Sequence, residues 1–162
     1  MTPNVSDPDL AMLRHAVATI AYRGGKAILG VHDLFGGFRV APDSRSAGEI
    51  LAHVGDLFDW ALGLAEGRHK WRESKPLPWA SEVERFFKGL GAFDARLASG
   101  RPLGIPAKKL FQGPVADALT HIGQILLLRR FAGHPVKAEN YFRANIETGR
   151  VGLDQPAPAR EF

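Results

Sequence analysis

Two histidines and one aspartate stand at positions where they could bind a metal ion. His121 follows Asp117 by four residues, which places both side chains on the same face of a helix. His53 lies in a separate apolar helical stripe, between Ile50 and Leu57. Metal sites in helical bundles are built from such side chains projecting inward from facing helices, so we expect these three residues to meet in the interior of the bundle. Three protein ligands leave one position for water or substrate, as in catalytic zinc sites and two-histidine, one-carboxylate iron sites.

The same three residues also have a simpler interpretation. A histidine on a helix is more often a packed or surface residue than a ligand. Asp117 comes three residues after Pro114, so it could lie in a first helical turn, where acidic side chains interact well with the helix dipole. If Asp117 is buried instead, its carboxylate needs a cation, a metal ion or several hydrogen-bond donors. The residues alone leave both interpretations open.

The spacing of apolar residues predicts the elements that must position this site. Four amphipathic helices are expected, beginning near Pro8, Ser46, Ser81 and Pro114 and ending near residue 30, Glu66, Gly100 and Gly133. Capping boxes are predicted at the starts of the second and third helices. Residues 30–45 read as a loop, 67–80 as a structured connection, 106–111 as a short helical turn, and 134–162 as mostly irregular, with a helical turn near 143–148. The expected fold is an all-α, antiparallel four-helix bundle with an irregular C-terminal tail, in one domain over residues 1–162.

The composition argues against several classes of protein. The chain has 162 residues, of which 45% are apolar and 23% charged, as in an ordinary globular domain. The net charge of +4 is scattered, which argues against nucleic acid as a partner. Cysteine is absent, so disulfides and thiolate ligands are excluded. The first ten residues lack a secretory signal pattern, and no apolar run is long enough for a bilayer, so we expect no membrane partner and a cytoplasmic location.

Two segments resemble motifs of a known family. Residues 48–56, Gly-Glu-Ile-Leu-Ala-His-Val-Gly-Asp, resemble the second helix of the DinB-like (YfiT-like) metal-binding proteins. Residues 117–124, Asp-Ala-Leu-Thr-His-Ile-Gly-Gln, resemble a later helix of that family, which usually reads His-x-x-x-His-x-Gly-Gln. Residues 126–142 resemble the closing segment of one branch. The resemblance covers the chain in order and length, but only the two histidine motifs are specific.

The resemblance implies a four-helix bundle, often a homodimer, that holds a divalent metal ion with three side chains. The first and last histidines of the family fall on His53 and His121, and the middle histidine falls on Asp117, which is a departure. Aspartate can bind zinc, so the site either survives with a harder ligand or has lost its metal. Zinc and nickel are the expected ions, with manganese and iron as further candidates.

The resemblance also implies a class of reaction. Similar proteins are thiol-dependent transferases and isomerases that use bacillithiol, mycothiol or glutathione. We therefore expect a metal-dependent transferase or hydrolase that acts on a small molecule, with a low-molecular-weight thiol as a candidate cosubstrate. The alternative is a non-catalytic, dimeric helical binding or scaffold protein with a degenerate metal site.

Several neighbouring residues receive secondary predictions. Gln124, three residues after His121, could hydrogen-bond to a ligand or lie at the flank of its helix. Asp56 could orient His53 or replace Asp117, but a solvated position is favoured because acidic residues are mostly exposed. Trp60 is expected to pack in the core.

The remaining candidates are expected to be structural. Tyr141 and Arg143 could reach over the mouth of a pocket, although surface packing is favoured. His15 is the reserve ligand because it lies on a predicted helix. The other histidines have no partners at ligand spacing and are expected at the surface: His32, His69 and His134.

Overall fold

A computed structural model describes residues 7–162, so most of the segment examined for a secretory signal lies outside the described residues. The α-helices are α1 (Pro8–Ile28), α2 (Ala47–Ala65), α3 (Trp79–Ala98), α4 (Ala107–Leu110) and α5 (Ala116–Phe131). Residues 7–162 contain no β-strand, only one isolated bridge between Glu139 and Glu161. No helix in this part of the chain has the length and apolar character needed to cross a bilayer. The predicted all-helical class is confirmed.

Local sequence signals explain the starts of α1 and α2. The Asp7 carboxylate accepts hydrogen bonds from the backbone N–H groups of Asp9 and Leu10, at 3.0 and 3.4 Å. At α2, the Glu49 N–H donates to the Ser46 hydroxyl at 3.2 Å, and the Ser46 N–H donates to the Glu49 carboxylate at 2.6 Å. The predicted start of the first helix near Pro8 and the predicted capping box of the second are thus confirmed. Each cap satisfies N–H groups that have no partner within the helix.

The predicted start of the third helix at Ser81 is wrong. Helix α3 begins at Trp79, and Pro78 precedes it without a side-chain cap. Trp79 is buried, and its ring packs edge-on against Phe35, with centroids 5.1 Å apart. Phe35 belongs to a 3₁₀ helix, Asp33–Gly37, inside the segment predicted to be a loop. Burial of these two rings extends α3 beyond the point that the capping pattern indicated.

The predicted start of the fourth long helix at Pro114 is also wrong. The short turn expected near residues 106–111 is present as α4, and a π-helical segment, Phe111–Val115, joins it to α5. Pro114 lies inside the π segment, where the altered hydrogen bonding accommodates its missing N–H group. Asp117 lies in the first turn of α5, but the backbone before it is already helical. Fewer free N–H groups therefore remain for its carboxylate.

The four long helices bury one apolar core. Its largest fully buried side chains include Phe58, Phe86 and Phe93. Helices α1 and α3 come very close at Gly24, where a Cβ atom would overlap the Phe86 ring. At the adjacent Gly25 a Cβ atom would make an ordinary contact of 3.5 Å. The absence of a side chain at Gly24 is thus a packing requirement of this helix pair.

Two buried arginines satisfy carbonyl groups at helix ends. Arg96 of α3 donates to the carbonyl of Ala65, the last residue of α2, at 2.8 Å. Arg129 of α5 donates to the carbonyls of Ala27 and Leu29 at the end of α1, at 3.2 and 2.6 Å. Within residues 7–162, neither guanidinium has a carboxylate oxygen within 4 Å. Each arginine binds the end of a helix other than its own.

The C-terminal segment is held against α1 by a buried carboxylate. Glu139 accepts hydrogen bonds from the Tyr22 hydroxyl and from Lys26 Nζ, the latter at 2.9 Å. Burial, together with the contact to Glu139, raises the pKa of Tyr22. The helical turn in this segment is a 3₁₀ turn at Tyr141–Arg143, so the predicted turn at 143–148 is displaced. The rest is irregular, as predicted.

Candidate metal centre

The three predicted ligand residues lie together. Helix α2 provides His53, and helix α5 provides Asp117 and His121. One ligand atom from each residue lies within 4.8 Å of the other two. Asp117 stands between the imidazoles, with Oδ2 3.5 Å from His53 Nε2 and Oδ1 3.3 Å from His121 Nε2. The ring centroids are 4.7 Å apart.

This donor set fits a divalent transition metal ion. Two imidazole nitrogens and one carboxylate oxygen suit zinc and nickel, and also iron and manganese. With bonds of about 2.0–2.1 Å, neighbouring ligand atoms of a tetrahedral site stand about 3.3 Å apart. Asp117 Oδ2 and Oδ1 lie 3.5 and 3.3 Å from the two imidazole nitrogens, close to this value, although each distance belongs to a different carboxylate oxygen. The three ligand atoms together lie within 4.8 Å of one another, so the residues suit such an ion once their side chains draw closer around it.

The site is less enclosed than the sequence predicted. The side chains of His53 and His121 are 19% and 13% exposed, but that of Asp117 is 47% exposed. Water can therefore solvate the Asp117 carboxylate, and a buried, uncompensated charge does not arise. The expectation of a site in the bundle interior is wrong. The three side chains lie partly exposed at the surface of the bundle, and solvent reaches them on the side of Asp117.

The electrostatic environment favours neutral His53. Burial lowers the pKa of His53, and the nearby His121 and Arg45 lower it further, while Asp117 acts in the opposite direction. The neutral imidazole is the form that binds metal ions, because a protonated ring nitrogen has no lone pair to offer. The surroundings of His53 therefore hold the ring in its ligand form near neutral pH.

Gln124 contacts the site through His121. Its Oε1 lies 2.8 Å from His121 Nδ1. When Nδ1 donates its proton to the amide oxygen, the lone pair of His121 is placed on Nε2, which is the nitrogen that faces Asp117. Of the two positions predicted for Gln124, the structure therefore shows the hydrogen bond to His121, the candidate ligand.

One tryptophan packs against His53, and a second packs against the first. The Trp71 ring lies 5.5 Å from the His53 ring, between centroids, and Trp60 packs edge-on against Trp71 at 5.7 Å. Trp60 is half-buried against the core, as expected. The contact between Trp71 and His53 was not predicted. The only signal in the sequence is that the connection after α2 is rich in tryptophan and proline.

Asp56 has a different role from the one predicted. It is only 3% exposed, so the expected solvated position is wrong. Its carboxylate accepts hydrogen bonds from Arg85 Nη2 at 2.5 Å and from the Ser74 N–H at 2.9 Å. Asp56 thereby joins α2, α3 and the connection between them, one helical turn after His53.

An open cleft of about 500 Å³ lies beside His53. Its wall includes His53 and Asp56, together with the charged side chains of Arg45, Glu49 and Lys75. Both signs of charge are present, so the lining suits a polar small molecule rather than an extended apolar one. The cleft gives such a molecule a route to the imidazole of His53.

The other candidates do not join this centre. Tyr141 packs on Tyr22, at 6.3 Å between ring centroids, and lies under the guanidinium of Arg23, at 4.2 Å. It therefore belongs to the contact between the C-terminal segment and α1. Neither Arg143 nor the exposed His15 belongs to the cluster of ligand-type side chains found in residues 7–162.

The fold and this centre define a class: an all-helical protein with a His–Asp–His cluster carried by two of its helices. Comparison of the chain with protein-family models, with curated proteins and with solved structures gives no match. The resemblance to the DinB-like proteins therefore rests on the sequence alone, chiefly on residues 48–56 and 117–124 and less specifically on residues 126–142.

Proposed function

We propose that the protein is an antiparallel four-helix bundle of the DinB-like kind that binds one divalent metal ion with His53, Asp117 and His121. One observation carries the proposal. Three ligand-type side chains from two separate segments each bring an atom within 4.8 Å of the others. The hydrogen bond that His121 Nδ1 donates to the Gln124 amide oxygen supports it, because metal-binding histidines usually have such a partner on the other ring nitrogen.

We further propose a metal-dependent transferase or hydrolase activity on a small molecule, with a low-molecular-weight thiol as a candidate cosubstrate. A bound divalent ion would lower the pKa of a coordinated water or thiol. The cleft beside His53 has a volume typical of small-molecule sites. Charged side chains of both signs in its wall, among them Arg45, Glu73 and Lys75, would bind polar groups of the substrate.

The metal content of the purified protein tests the proposal. Tag-free protein is dialysed and analysed by inductively coupled plasma mass spectrometry. We expect stoichiometric zinc or nickel in the wild type, and loss of this metal in both His53→Ala and His121→Ala. The His15→Ala variant is the control, since His15 is exposed and lies outside the cluster. Wild-type protein that is free of metal and takes up no zinc, nickel, manganese or iron would remove the basis of the proposal.

A second candidate function has an observation in its favour. The half-exposed Asp117 already contacts both imidazoles, so the three residues are compatible with a metal-free polar cluster in a binding or scaffold protein. In that case His121→Leu leaves the melting temperature unchanged or raised, with and without metal, because apolar packing replaces a polar cluster. A loss of stability seen only when metal is present supports the metal site. The homodimer implied by the resemblance is tested separately by sedimentation velocity.

A further inference from the structure

Two exposed histidines from distant parts of the chain face each other. His32 precedes the 3₁₀ helix Asp33–Gly37, and His134 follows α5. Their Nε2 atoms are 3.2 Å apart, and the ring centroids are 4.9 Å apart. The sequence shows no partner at ligand spacing for either residue and predicts that both lie at the surface, where the structure places them. Their contact could not be predicted, because the two residues are 102 positions apart in the sequence.

The distance between the two nitrogens matches that of two ligands on one metal ion. With metal–nitrogen bonds of about 2.0–2.1 Å, two ligands stand about 2.9 Å apart at a right angle and about 3.3 Å apart at the tetrahedral angle. The observed 3.2 Å lies between these values. Without an ion, the same distance is a hydrogen bond in which one protonated ring nitrogen donates to the other. Both histidines are exposed, so water can complete the coordination.

The backbone that carries His134 is fixed. The His134 N–H donates to the Arg129 carbonyl at 2.8 Å, and the Gly133 N–H donates to the Arg130 carbonyl at 3.2 Å. With Gly133 at a φ of 79°, these two bonds form a Schellman motif at the end of α5. His134 therefore leaves the helix in a defined direction.

The buried Arg129 also joins the two segments. Its Nε donates to the His134 carbonyl at 2.9 Å, and its Nη1 donates to the Leu29 carbonyl at 2.6 Å, three residues before His32. On the other side, the His32 carbonyl accepts from the Phe35 N–H at 3.0 Å, in the first turn of the 3₁₀ helix. These bonds hold both histidine backbones in place without any ion.

We propose that His32 and His134 form a second, two-ligand binding site for a divalent transition metal ion that prefers imidazole, such as zinc, nickel or copper. Magnesium and calcium, which prefer oxygen ligands, are excluded by the chemistry of the pair. The bound ion links the segment that follows α1 to the segment that follows α5. It thereby stabilises the folded chain, because the two histidines meet only when the chain is folded. The site does not depend on His53, Asp117 or His121.

Calorimetric titration with zinc chloride tests the second site. The tag-free variant that carries both His53→Ala and His121→Ala isolates it from the first centre. We expect this double variant to bind one zinc ion, and the binding to disappear when either His32→Ala or His134→Ala is added. Adding His69→Ala instead leaves the binding intact, since His69 is exposed and outside both clusters. Magnesium chloride should give no binding.

Two results would overturn the inference: no zinc binding by the double variant, or binding that survives both His32→Ala and His134→Ala. A second measurement covers a double variant that fails to fold. In wild-type protein, the ring ¹H–¹⁵N signals of His32 and His134 should shift together on addition of zinc, and unchanged signals at saturation would contradict the site. The same titration tests the two proposals separately. If only the first centre is absent, the wild type and the His53→Ala, His121→Ala double variant bind the same number of zinc ions.

Discussion

Among the three side chains of the proposed centre, His121 is the one whose orientation is best fixed. Its side chain is 13% exposed, and Gln124 holds its Nδ1 at 2.8 Å. Asp117, by contrast, is half-exposed and contacts only the two imidazoles among the contacts described for it. The metal affinity of the centre should therefore depend on Gln124 although Gln124 is not a ligand.

We expect Gln124→Leu to weaken zinc binding at the first centre by about 10- to 100-fold. The reason is that His121 loses the bond that fixes its ring and its protonation. Competition with a chromogenic chelator measures the affinity, in protein that also carries His32→Ala so that the second site is silent. The control is Gln112→Leu, which alters an exposed glutamine before α5. An unchanged affinity for Gln124→Leu would contradict the orienting role.

Single residues show clearly where sequence reasoning succeeds. The proximity of Asp117 and His121 could be predicted because helical periodicity converts their spacing into a distance, whereas the approach of His53 depends on how α2 packs against α5. The contacts of Trp71 and of the pair His32 and His134 could not be predicted, since these residues lie outside the α-helices, where spacing gives no distance. Asp56 was misjudged because its partner Arg85 belongs to another helix. Tertiary contacts decide these positions.

At the level of elements, the start of α2 depends on a titrating group. The N–H of Ser46 donates to the Glu49 carboxylate and, with Arg39, lowers the pKa of Glu49 below its ordinary value of 4.5. A carboxyl group whose pKa is lowered on folding stabilises the folded state above its ordinary pKa. That contribution is lost as the pH falls through the lowered value.

We therefore expect Glu49→Gln to lower the melting temperature at neutral pH and to approach the wild type as the pH falls below 4.5. Glutamine keeps the side-chain length but removes the charge that titrates. Thermal unfolding followed by circular dichroism, from about pH 3 to about pH 7, measures this difference. Glu84→Gln on α3, an exposed residue, is the control and should show no such convergence. A difference that is constant with pH would contradict the assignment.

The adjacent glycines of α1 provide a matched pair of substitutions. Gly25→Ala should raise the free energy of unfolding by about 0.5–1 kcal/mol, because alanine favours the helix and its Cβ fits. Gly24→Ala should lower it by about 1–2 kcal/mol, because the Cβ displaces the buried Phe86 ring. Urea unfolding measures both. Equal effects of the two substitutions would show that α1 and α3 do not require this close approach.

The elements were predicted where local signals agree with tertiary packing. The ends of α1 and α2 follow from capping residues and glycines close to them in sequence. The start of α3 did not, because burial of Trp79 outweighs the capping pattern at Ser81. The π segment was missed because Pro114 is typical of a helix start, and only the packing around it keeps the backbone helical.

At the scale of the whole molecule, the irregular segment after α5 is attached to the helices through Glu139. The carboxylate is fully buried against Tyr22 and Lys26 of α1. We expect Glu139→Ala to raise the rate of chymotrypsin cleavage after the exposed Phe142 by about tenfold, because hydrogen bonds to a charged group contribute about 1.5–3 kcal/mol.

Mass spectrometry of the digest measures this cleavage. The control is Glu147→Ala, whose carboxylate pairs only locally, with Arg150 at 3.5 Å and with Asn145. Equal cleavage rates for the two variants would show that Glu139 does not hold the segment.

The hydrogen bonds of the buried arginines resist acid, whereas those of the carboxylates do not. Arg96 and Arg129 bind main-chain carbonyls, which take up no proton in mildly acidic solution, so these bonds persist while carboxylates are neutralised. The beginning of α2 relies on Glu49, whereas its end relies on Arg96. Acidification therefore removes the hydrogen bond of Glu49 at the beginning of α2 and leaves the hydrogen bond of Arg96 at its end intact. His53 lies in the same half of α2 as Glu49, so acid below pH 4.5 should disturb the proposed metal centre before it unfolds the core.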